Sequence, residues 1–290
     1  MRESEAIAFR VVWSGWTILQ ISFLNKQEVF KLESAVTKEI IGAYHFPKEG
    51  YINNPRFLKA IQNHLIQNKA TIINSIVESI DLEKNSIESI TLKNSEKINA
   101  KKYILCNGAW ANQLLRQALK LKEDLISAIK GEIIQLEAKE QLQLNKILFC
   151  KEGYILPRPA TNKFETNSIL VGSTSEEVNI ETPNSFLNSL KAITHLSNLF
   201  YKLLPNQQNC HLINQWCGLR PKTKDSLPIM GNVDEIKNLF LALGHFRNGI
   251  LMGPYTGKIM ADLICDEHLE FDINSFNVNR FLKANKALVS

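Results

Sequence analysis

The chain of 290 residues is long enough for one large domain or two ordinary ones, and its 44% hydrophobic and 22% charged residues are typical of a soluble globular enzyme. The net charge of +5 is spread along the sequence, which suits small acidic molecules such as carboxylates and makes nucleic acid an unexpected partner. No run of 18 apolar residues occurs and the first ten residues do not form a secretory signal, so neither a membrane span nor a signal peptide is predicted.

The five cysteines form no CxxC pair and no even set for disulfides, which is typical of a protein in the reducing cytoplasm. Cys210, His211 and Cys217 suggest a zinc site, but their spacing matches no usual zinc finger. Buried structural thiols are therefore the favoured interpretation, and no metal is expected.

Strand-like and helix-like hydrophobic patterns alternate along the chain, which indicates an α/β or α+β fold. Helices are predicted over 27–32, from Pro55, from Ala109, over Pro183 to Leu204, where the apolar stripe is strongest, and over Pro254 to Cys265. Strands are predicted over 71–80, 86–92, 102–105, 131–136, 147–150, 154–157, 169–173 and 239–243.

Two strand–glycine–helix junctions stand out, one from Leu105 to Trp110 and one from Leu243 to Pro254. Such a junction directs free backbone N–H groups and the positive end of a helix at whatever lies beyond the strand, which favours anionic groups. Taken alone, most such junctions are only turns, so a cofactor site stays one of two interpretations.

Three arginines and a tyrosine are candidates for binding a small acid. Arg220 lies between Gly-Leu and Pro, where we expect a short constrained turn that offers its planar guanidinium to a carboxylate. Arg247 lies in a glycine-rich loop, and Tyr154 lies on a predicted strand that ends at Arg158. Taken one by one, each is better explained by a structural role, which for a single arginine is a surface ion pair.

Five motifs in the same order give the chain a resemblance to the D-amino-acid oxidase family of flavin-dependent amine oxidases, and within it to bacterial glycine oxidases. They match from about residue 25 to the end. They are Cys106-Asn107-Gly108-Ala109-Trp110, Gly153 to Arg158, Leu170 to Thr174, Gly218 to Asp225 followed by Leu227 to Gly231, and Gly244 to Gly257 followed by Ala261 to Ile264.

The resemblance implies an α/β fold in which an incomplete FAD-binding Rossmann-like domain is interleaved with a mixed-sheet substrate domain. The FAD-binding parts would be about 50–125 and 205–275, and the substrate-domain parts about 25–50 and 126–204. Residues 1–24 resemble the family poorly.

The resemblance also implies roles for residues. Arg220 would pair with the substrate carboxylate, Arg247 would lie near substrate and flavin, and Tyr154 would line the pocket. The expected FAD contacts are Val77, Gly108, His245, Phe246, Arg247, Asn248, Gly249, Ile250 and Leu251. The implied reaction is oxidation of glycine or sarcosine to an imine, with dioxygen as acceptor and hydrogen peroxide as product. The imine would hydrolyse to glyoxylate or supply thiazole synthesis for thiamine.

One family feature does not occur in the 290 residues, namely the GxGxxG turn that holds the pyrophosphate. We therefore expect poor affinity for FAD, an open sheet edge, and a separately encoded nucleotide-binding fragment as a partner. The alternatives are a catalytically inactive remnant, or another family member such as a D-amino-acid dehydrogenase or sarcosine oxidase. The sequence leaves open whether the chain forms a homo-oligomer.

Overall fold

A computed structural model describes residues 21–138, 144–160, 166–207 and 209–282, so most of the segment 1–24 lies outside the described residues. The strands and helices are, in chain order, β1 (Ser22–Asn25), α1 (Lys26–Leu32), β2 (Gly42–His45), α2 (Asn54–Gln67), β3 (Val77–Glu83), β4 (Ser86–Leu92), β5 (Lys97–Ile98), β6 (Tyr103–Leu105), α3 (Ala111–Leu119), β7 (Ile126–Ala138), β8 (Leu148–Cys150), β9 (Gly153–Arg158), β10 (Ser168–Gly172), β11 (Glu176–Val178), α4 (Leu190–Leu203), β12 (Cys210–Thr223), β13 (Ile229–Val233), β14 (Ile236–Leu243) and α5 (Gly249–Ile264).

The described residues fall into two compact units, each built from separated stretches of chain. The first unit comprises 21–52, 130–176 and 186–218, and the second comprises 53–129, 177–185 and 219–282, apart from the undescribed gaps. These ranges resemble the expected domain parts, except that 205–218 group with the first unit and 177–185 with the second. Assigning flavin binding to the second unit and substrate-domain character to the first stays a prediction.

The core of the first unit lies between α4 and a sheet with strand order β11-β7-β10-β9-β8, in which β12 also pairs with β7. β10 is antiparallel to both β7 and β9, and all five of its residues are buried. Leu196 and Phe200 on α4 are completely buried against Ile155 and Ile169 of the sheet. A strand buried on both faces reads as a continuous apolar run, which explains the sequence Ser-Ile-Leu-Val-Gly of β10.

The second unit contains two three-stranded sheets, β13-β14-β6 and β3-β4-β5. Side-chain amides join elements of this unit by pairs of hydrogen bonds to the backbone of one residue. Asn238 binds both the N–H and the C=O of Ile87 at 2.8 Å, and so ties β14 to β4. The buried Asn112 on α3 binds both groups of Ile126 in the same way, at 3.1 and 2.7 Å. Such bonds satisfy buried backbone groups at positions where no strand pairs with them.

The predicted helix over Pro183 to Leu204 is too long, because α4 begins only at Leu190. Ser189 is its cap: the Ser189 hydroxyl accepts a hydrogen bond from the Ala192 N–H at 3.1 Å. The Ser189 N–H in turn donates to the buried carboxylate of Glu132 at 2.6 Å. A partner 57 residues away along the chain therefore fixes the start of this helix.

Three further predictions about elements are wrong in detail. Gly218 to Pro221 does not form a short turn but continues the 14-residue strand β12. Pro254 does not begin a helix but lies inside α5, which starts at Gly249. Residues 71–76 are not a strand, since β3 starts at Val77.

Arg280 is a structural residue that the sequence did not reveal. Its guanidinium pairs with Asp225 through Nε at 2.7 Å and Nη2 at 3.2 Å, and its Nη1 also donates to the carbonyl of Phe276 at 2.7 Å. Burial raises the pKa of Asp225, but the hydrogen bond from Arg280, that from the Leu227 N–H and the charge of Arg280 outweigh it and lower the pKa below 3.8. Arg280 thus holds the turn that follows β12.

We expect Arg280→Met to lower the free energy of unfolding by about 2 kcal/mol, because charged hydrogen bonds are lost and backbone carbonyls are left unsatisfied. Urea denaturation followed by circular dichroism measures this loss. Arg116→Met is the matched control: its guanidinium pairs at 2.8 Å with Asp124 but both side chains are more than 40% exposed, so we expect a loss of about 0.5 kcal/mol or less. Equal losses in the two variants would contradict the role of Arg280.

Candidate active site

The two strand–glycine–helix junctions lie at the same edge of one sheet. β6 and β14 run parallel, with Leu241 opposite Leu105. β6 ends at Leu105 and β14 at Leu243, so the chain leaves both strands on the same side. The carboxyl edge of parallel strands is the usual ligand position in open α/β sheets.

The turn after β14 is held in one conformation. Gly244 has φ of +73°, and a β-carbon at this position would lie 2.5 Å from the Thr223 side chain, so only glycine fits. Phe246 also has a positive φ, +49°, which is uncommon for a non-glycine residue. The turn closes where the Asn248 N–H donates to the His245 carbonyl at 2.9 Å. Asn248 then leads into Gly249, Ile250 and Leu251, which form the first turn of α5.

A backbone bridge places the Arg220 segment beside this turn. Lys222 on β12 pairs antiparallel with His245. The bridge is isolated and residues 246–248 form a 3-10 turn, so the antiparallel register does not continue from His245 to Arg247. Arg220 is half-buried, and the exposed Arg247 guanidinium lies 5.2 Å from the Phe246 ring centroid. The bridge therefore places the strand that carries Arg220 beside the turn that carries Arg247, and a shared carboxylate contact of the two arginines stays a prediction.

His245 is anchored from beneath. Its Nε2 lies 2.9 Å from the hydroxyl of Thr256 on α5, and that buried hydroxyl donates to the sulfur of Met230 at 3.6 Å. With its proton directed at the sulfur, the Thr256 oxygen accepts from Nε2–H of His245. Burial lowers the pKa of His245 below 6.5, so the ring is neutral at physiological pH.

The junction after β6 has room for a ligand. Gly108 begins a short 3-10 turn, and no atom lies within 4 Å of the position where its β-carbon would be. The amide oxygen of the neighbouring Asn107 is buried and has no hydrogen-bond partner in the described structure. An acceptor of this kind fits a bound group with an N–H or O–H donor, such as the rings and sugar of FAD. The residues present at this edge therefore fit the flavin part of the cofactor.

Val77 lies elsewhere in the second unit, as the first residue of β3, and packs partly buried against the unit's main core. The residues just before it, Asn74, Ser75 and Ile76, line an open cavity of about 420 Å³ together with Lys93 and Asn94. The contact of Val77 with the cofactor stays a prediction.

Tyr154 belongs to the first unit, where Gly172 makes room for its ring. The two residues pair across β9 and β10, and a β-carbon on Gly172 would lie 2.7 Å from the phenol oxygen and from the ring carbon that bears it. An alanine there would push the ring away. The glycine of the Leu170 to Thr174 motif thus sets the position of the tyrosine in the Gly153 to Arg158 motif, while a substrate contact of Tyr154 stays a prediction.

Sequence reasoning missed Thr223, Thr256 and Lys222. Thr223 was quoted within a motif, but nothing local indicated that it packs on Gly244. Thr256 follows His245 by 11 residues, but His245 lies outside α5, so helical periodicity does not connect the two residues. In the sequence, Lys222 was only one of several cationic residues in the Gly218 to Asp225 motif, and nothing distinguished it from the others.

Two absences can be stated for the part of the chain that the structure describes. No group of three or more His, Cys, Asp or Glu residues there is arranged to hold a metal ion. None of the helices in that part is both long and apolar enough to cross a membrane.

Comparison with known proteins gives a consistent family. A sequence model described as FAD dependent oxidoreductase matches residues 3–263, which includes most of the segment 1–24 set apart above. Glycine oxidase of Geobacillus kaustophilus is 29% identical over 267 residues, covering 90% of this chain and 66% of the relative. The bifunctional protein ThiO/ThiG of Nostoc is 30% identical over 265 residues, covering 90% of this chain and 38% of the relative. The chain thus spans less than two thirds of the length of these relatives.

The solved structure of glycine oxidase from Geobacillus kaustophilus superposes with a TM-score of 0.80 at 26% identity, covering 90% of this chain and 67% of that one. This confirms the predicted fold class, a mixed α/β fold of the glycine oxidase kind. With 261 of 290 residues matched by the family model, the chain belongs to the FAD-dependent oxidoreductase family.

Proposed function

We propose that this protein oxidises a small amino acid of the glycine or sarcosine kind by FAD-dependent oxidative deamination. The observation that carries the proposal is the Lys222–His245 bridge, which brings the strand that carries Arg220 beside the turn that carries Arg247, at the edge that the two strand–glycine junctions share. Two guanidinium groups near the edge proposed for the cofactor suit a carboxylate better than any neutral group. The names of the glycine oxidase relatives support the same substrate class.

The side chains act mainly by positioning. Arg220 and Arg247 hold the substrate carboxylate and so fix which face of the α-carbon is presented. Tyr154, by the family resemblance, would line the substrate pocket. FAD, when bound, supplies a two-electron acceptor for the hydride of the α-carbon and returns the electrons to dioxygen, giving hydrogen peroxide. The substrate imine then takes up water and yields glyoxylate together with the amine, which is ammonia from glycine and methylamine from sarcosine. No side chain needs to remove a proton if the free amine binds, so orientation provides much of the rate.

A neutral His245 fits this arrangement. It sits directly before the turn that carries Arg247, and the Thr256 hydroxyl holds it in place. An uncharged ring adds no further repulsion to the substrate ammonium or amine. We assign His245 a positioning role, since it connects the turn to α5.

The product and the compartment follow as parts of the same proposal. The imine or glyoxylate would supply thiazole synthesis for thiamine, as the resemblance implies. The five cysteines are free thiols, which fits a reducing cytoplasm.

The first test is spectroscopic. We expect purified protein with added FAD to show a flavin spectrum that bleaches when glycine is added without oxygen. Arg220→Met should lower kcat/KM for glycine by roughly 100-fold, because a charged double hydrogen bond to the carboxylate is lost. Arg116→Met removes the same charge from the surface of α3 and should change kcat/KM less than about twofold. A protein that stays colourless with FAD, or an Arg220 variant as active as the control, would contradict the proposal and favour an inactive remnant.

The second test separates the two ends of the cofactor. The 290 residues contain no GxGxxG turn for the diphosphate, whereas the edge of β6 and β14 fits the flavin ring. Among the described strands β6 pairs only with β14, and Ile104 at its centre is 45% exposed, so a nucleotide-binding element from another fragment has a place to pair. We therefore expect this chain to bind riboflavin and FAD with affinities within about threefold, since only a diphosphate site distinguishes them. Fluorescence quenching measures both, and binding of FAD more than tenfold tighter would show that the chain holds the nucleotide by itself.

The third test is pH dependence. The folded-state pKa of His245 is lowered from 6.5, so between the two values the unfolded chain binds more protons than the folded one. The contribution of neutral His245 to the free energy of unfolding is therefore complete above about pH 6.5. It is lost as the pH falls from there towards the folded-state pKa. His245→Gln keeps a donor for Thr256 but does not titrate, so its free energy of unfolding should fall less between about pH 7.5 and pH 5 than that of the wild type. If the free energy of unfolding of the two proteins changed with pH in the same way, a lowered pKa of His245 would be refuted.

A further inference from the structure

Lys222 is a cation at the candidate site that the proposed function does not use. It is half-buried on β12, and its ammonium lies 5.7 Å from the centroid of the Phe246 ring. The Arg247 guanidinium approaches the same ring at 5.2 Å. Lys222 therefore contacts the same ring as one of the two residues to which we assign the substrate carboxylate.

Nearby cations on the same segment are neutralised, but Lys222 is not. The ammonium of Lys224 pairs with Glu123 at 2.5 Å, and Arg280 pairs with Asp225. Within the part of the chain that the structure describes, no carboxylate lies within 4.0 Å of the Lys222 ammonium. An ammonium group has three donors, and an aromatic face satisfies them only in part. Lys222 thus retains capacity for an anion.

Strand geometry places the Lys222 side chain next to that of Arg220. Residues two apart on a strand point to the same side and are roughly 6.6 Å apart, so Arg220 and Lys222 face the same way from β12. That spacing is comparable to the distance between the two carboxylates of a small dicarboxylic acid. One carboxylate at the arginines would leave the second within reach of Lys222.

We propose that Lys222 binds a second carboxylate, so that the preferred substrates are amino acids with two carboxylates, such as N-carboxymethyl or acidic amino acids. This rests on the proposed function, because the first carboxylate is the one assigned to Arg220 and Arg247. Lys222 determines specificity by attracting the second charge and by disfavouring a cationic side chain.

The test uses two ligands that differ by one carboxylate, iminodiacetate and sarcosine. Their affinities for the FAD-supplemented protein are measured by calorimetry without oxygen, after the flavin has been reduced with dithionite so that the ligands bind without being oxidised, in the wild type, in Lys222→Met and in Lys222→Gln. We expect both variants to weaken iminodiacetate binding roughly tenfold and sarcosine binding less than about twofold. Lys222→Arg should retain at least half of the wild-type preference. Lys224→Met, which removes the same charge two residues further along, should leave both affinities within about twofold.

The outcomes separate this inference from the proposed function. Equal weakening of both ligands would show that Lys222 serves the shared carboxylate or only holds Phe246, and would overturn the inference. Unchanged iminodiacetate binding would overturn it as well. Amine oxidation is followed separately as peroxide release. Selective loss of iminodiacetate binding in the Lys222 variants without any turnover would support the ligand site and refute the oxidase. Turnover of sarcosine with no selective effect of the Lys222 variants would support the oxidase and refute the ligand site.

Discussion

The parallel pairing of β14 with β6 is the constraint on which the candidate site depends. It unites chain positions more than 130 residues apart, with Leu105 opposite Leu241, and it directs both following turns to one edge. If the strands were antiparallel, Gly108 and the 244–249 turn would lie at opposite ends. Loop closure over such a distance is costly, and the buried leucines of β14 offset it, since Leu239, Leu241 and Leu243 are almost completely inaccessible.

In the motif from Gly218 to Asp225, different residues make different contacts. Arg220 and Lys222 share one side of β12, which faces the Phe246 turn. Thr223 is buried and fills the space beside Gly244, so a larger residue at either position would push the strand from the turn. Asp225 fixes the end of the segment through Arg280. Function and packing are therefore encoded two residues apart, and a change in one disturbs the other.

Features that depend on local patterns and on the order of motifs were predicted from the sequence. Features that depend on a contact with a residue far along the chain were not. The α/β class, both strand–glycine junctions and the family were predicted correctly. The start of α4 was not, because Glu132 lies 57 residues before the Ser189 cap that it supports. Gly218 to Pro221 suggested a turn because glycine and proline usually interrupt strands, yet β12 continues through them and the Lys222–His245 bridge pairs its far end. The strand that carries Arg220 lies beside the turn that carries Arg247 because of that bridge, which no local pattern reveals.

The strain in the 245–248 turn gives the site its order before any ligand binds. A non-glycine residue at positive φ, as at Phe246, costs on the order of 1 to 3 kcal/mol and persists only where its surroundings hold it. Here the holding contacts are the backbone bridge at His245, the Thr256 hydroxyl below it, and two cations against the Phe246 ring. Because folding has already fixed this turn, a carboxylate that reaches Arg247 does not have to order the loop. In the proposed reaction, more of the interaction energy is then available to orient the α-carbon of the substrate.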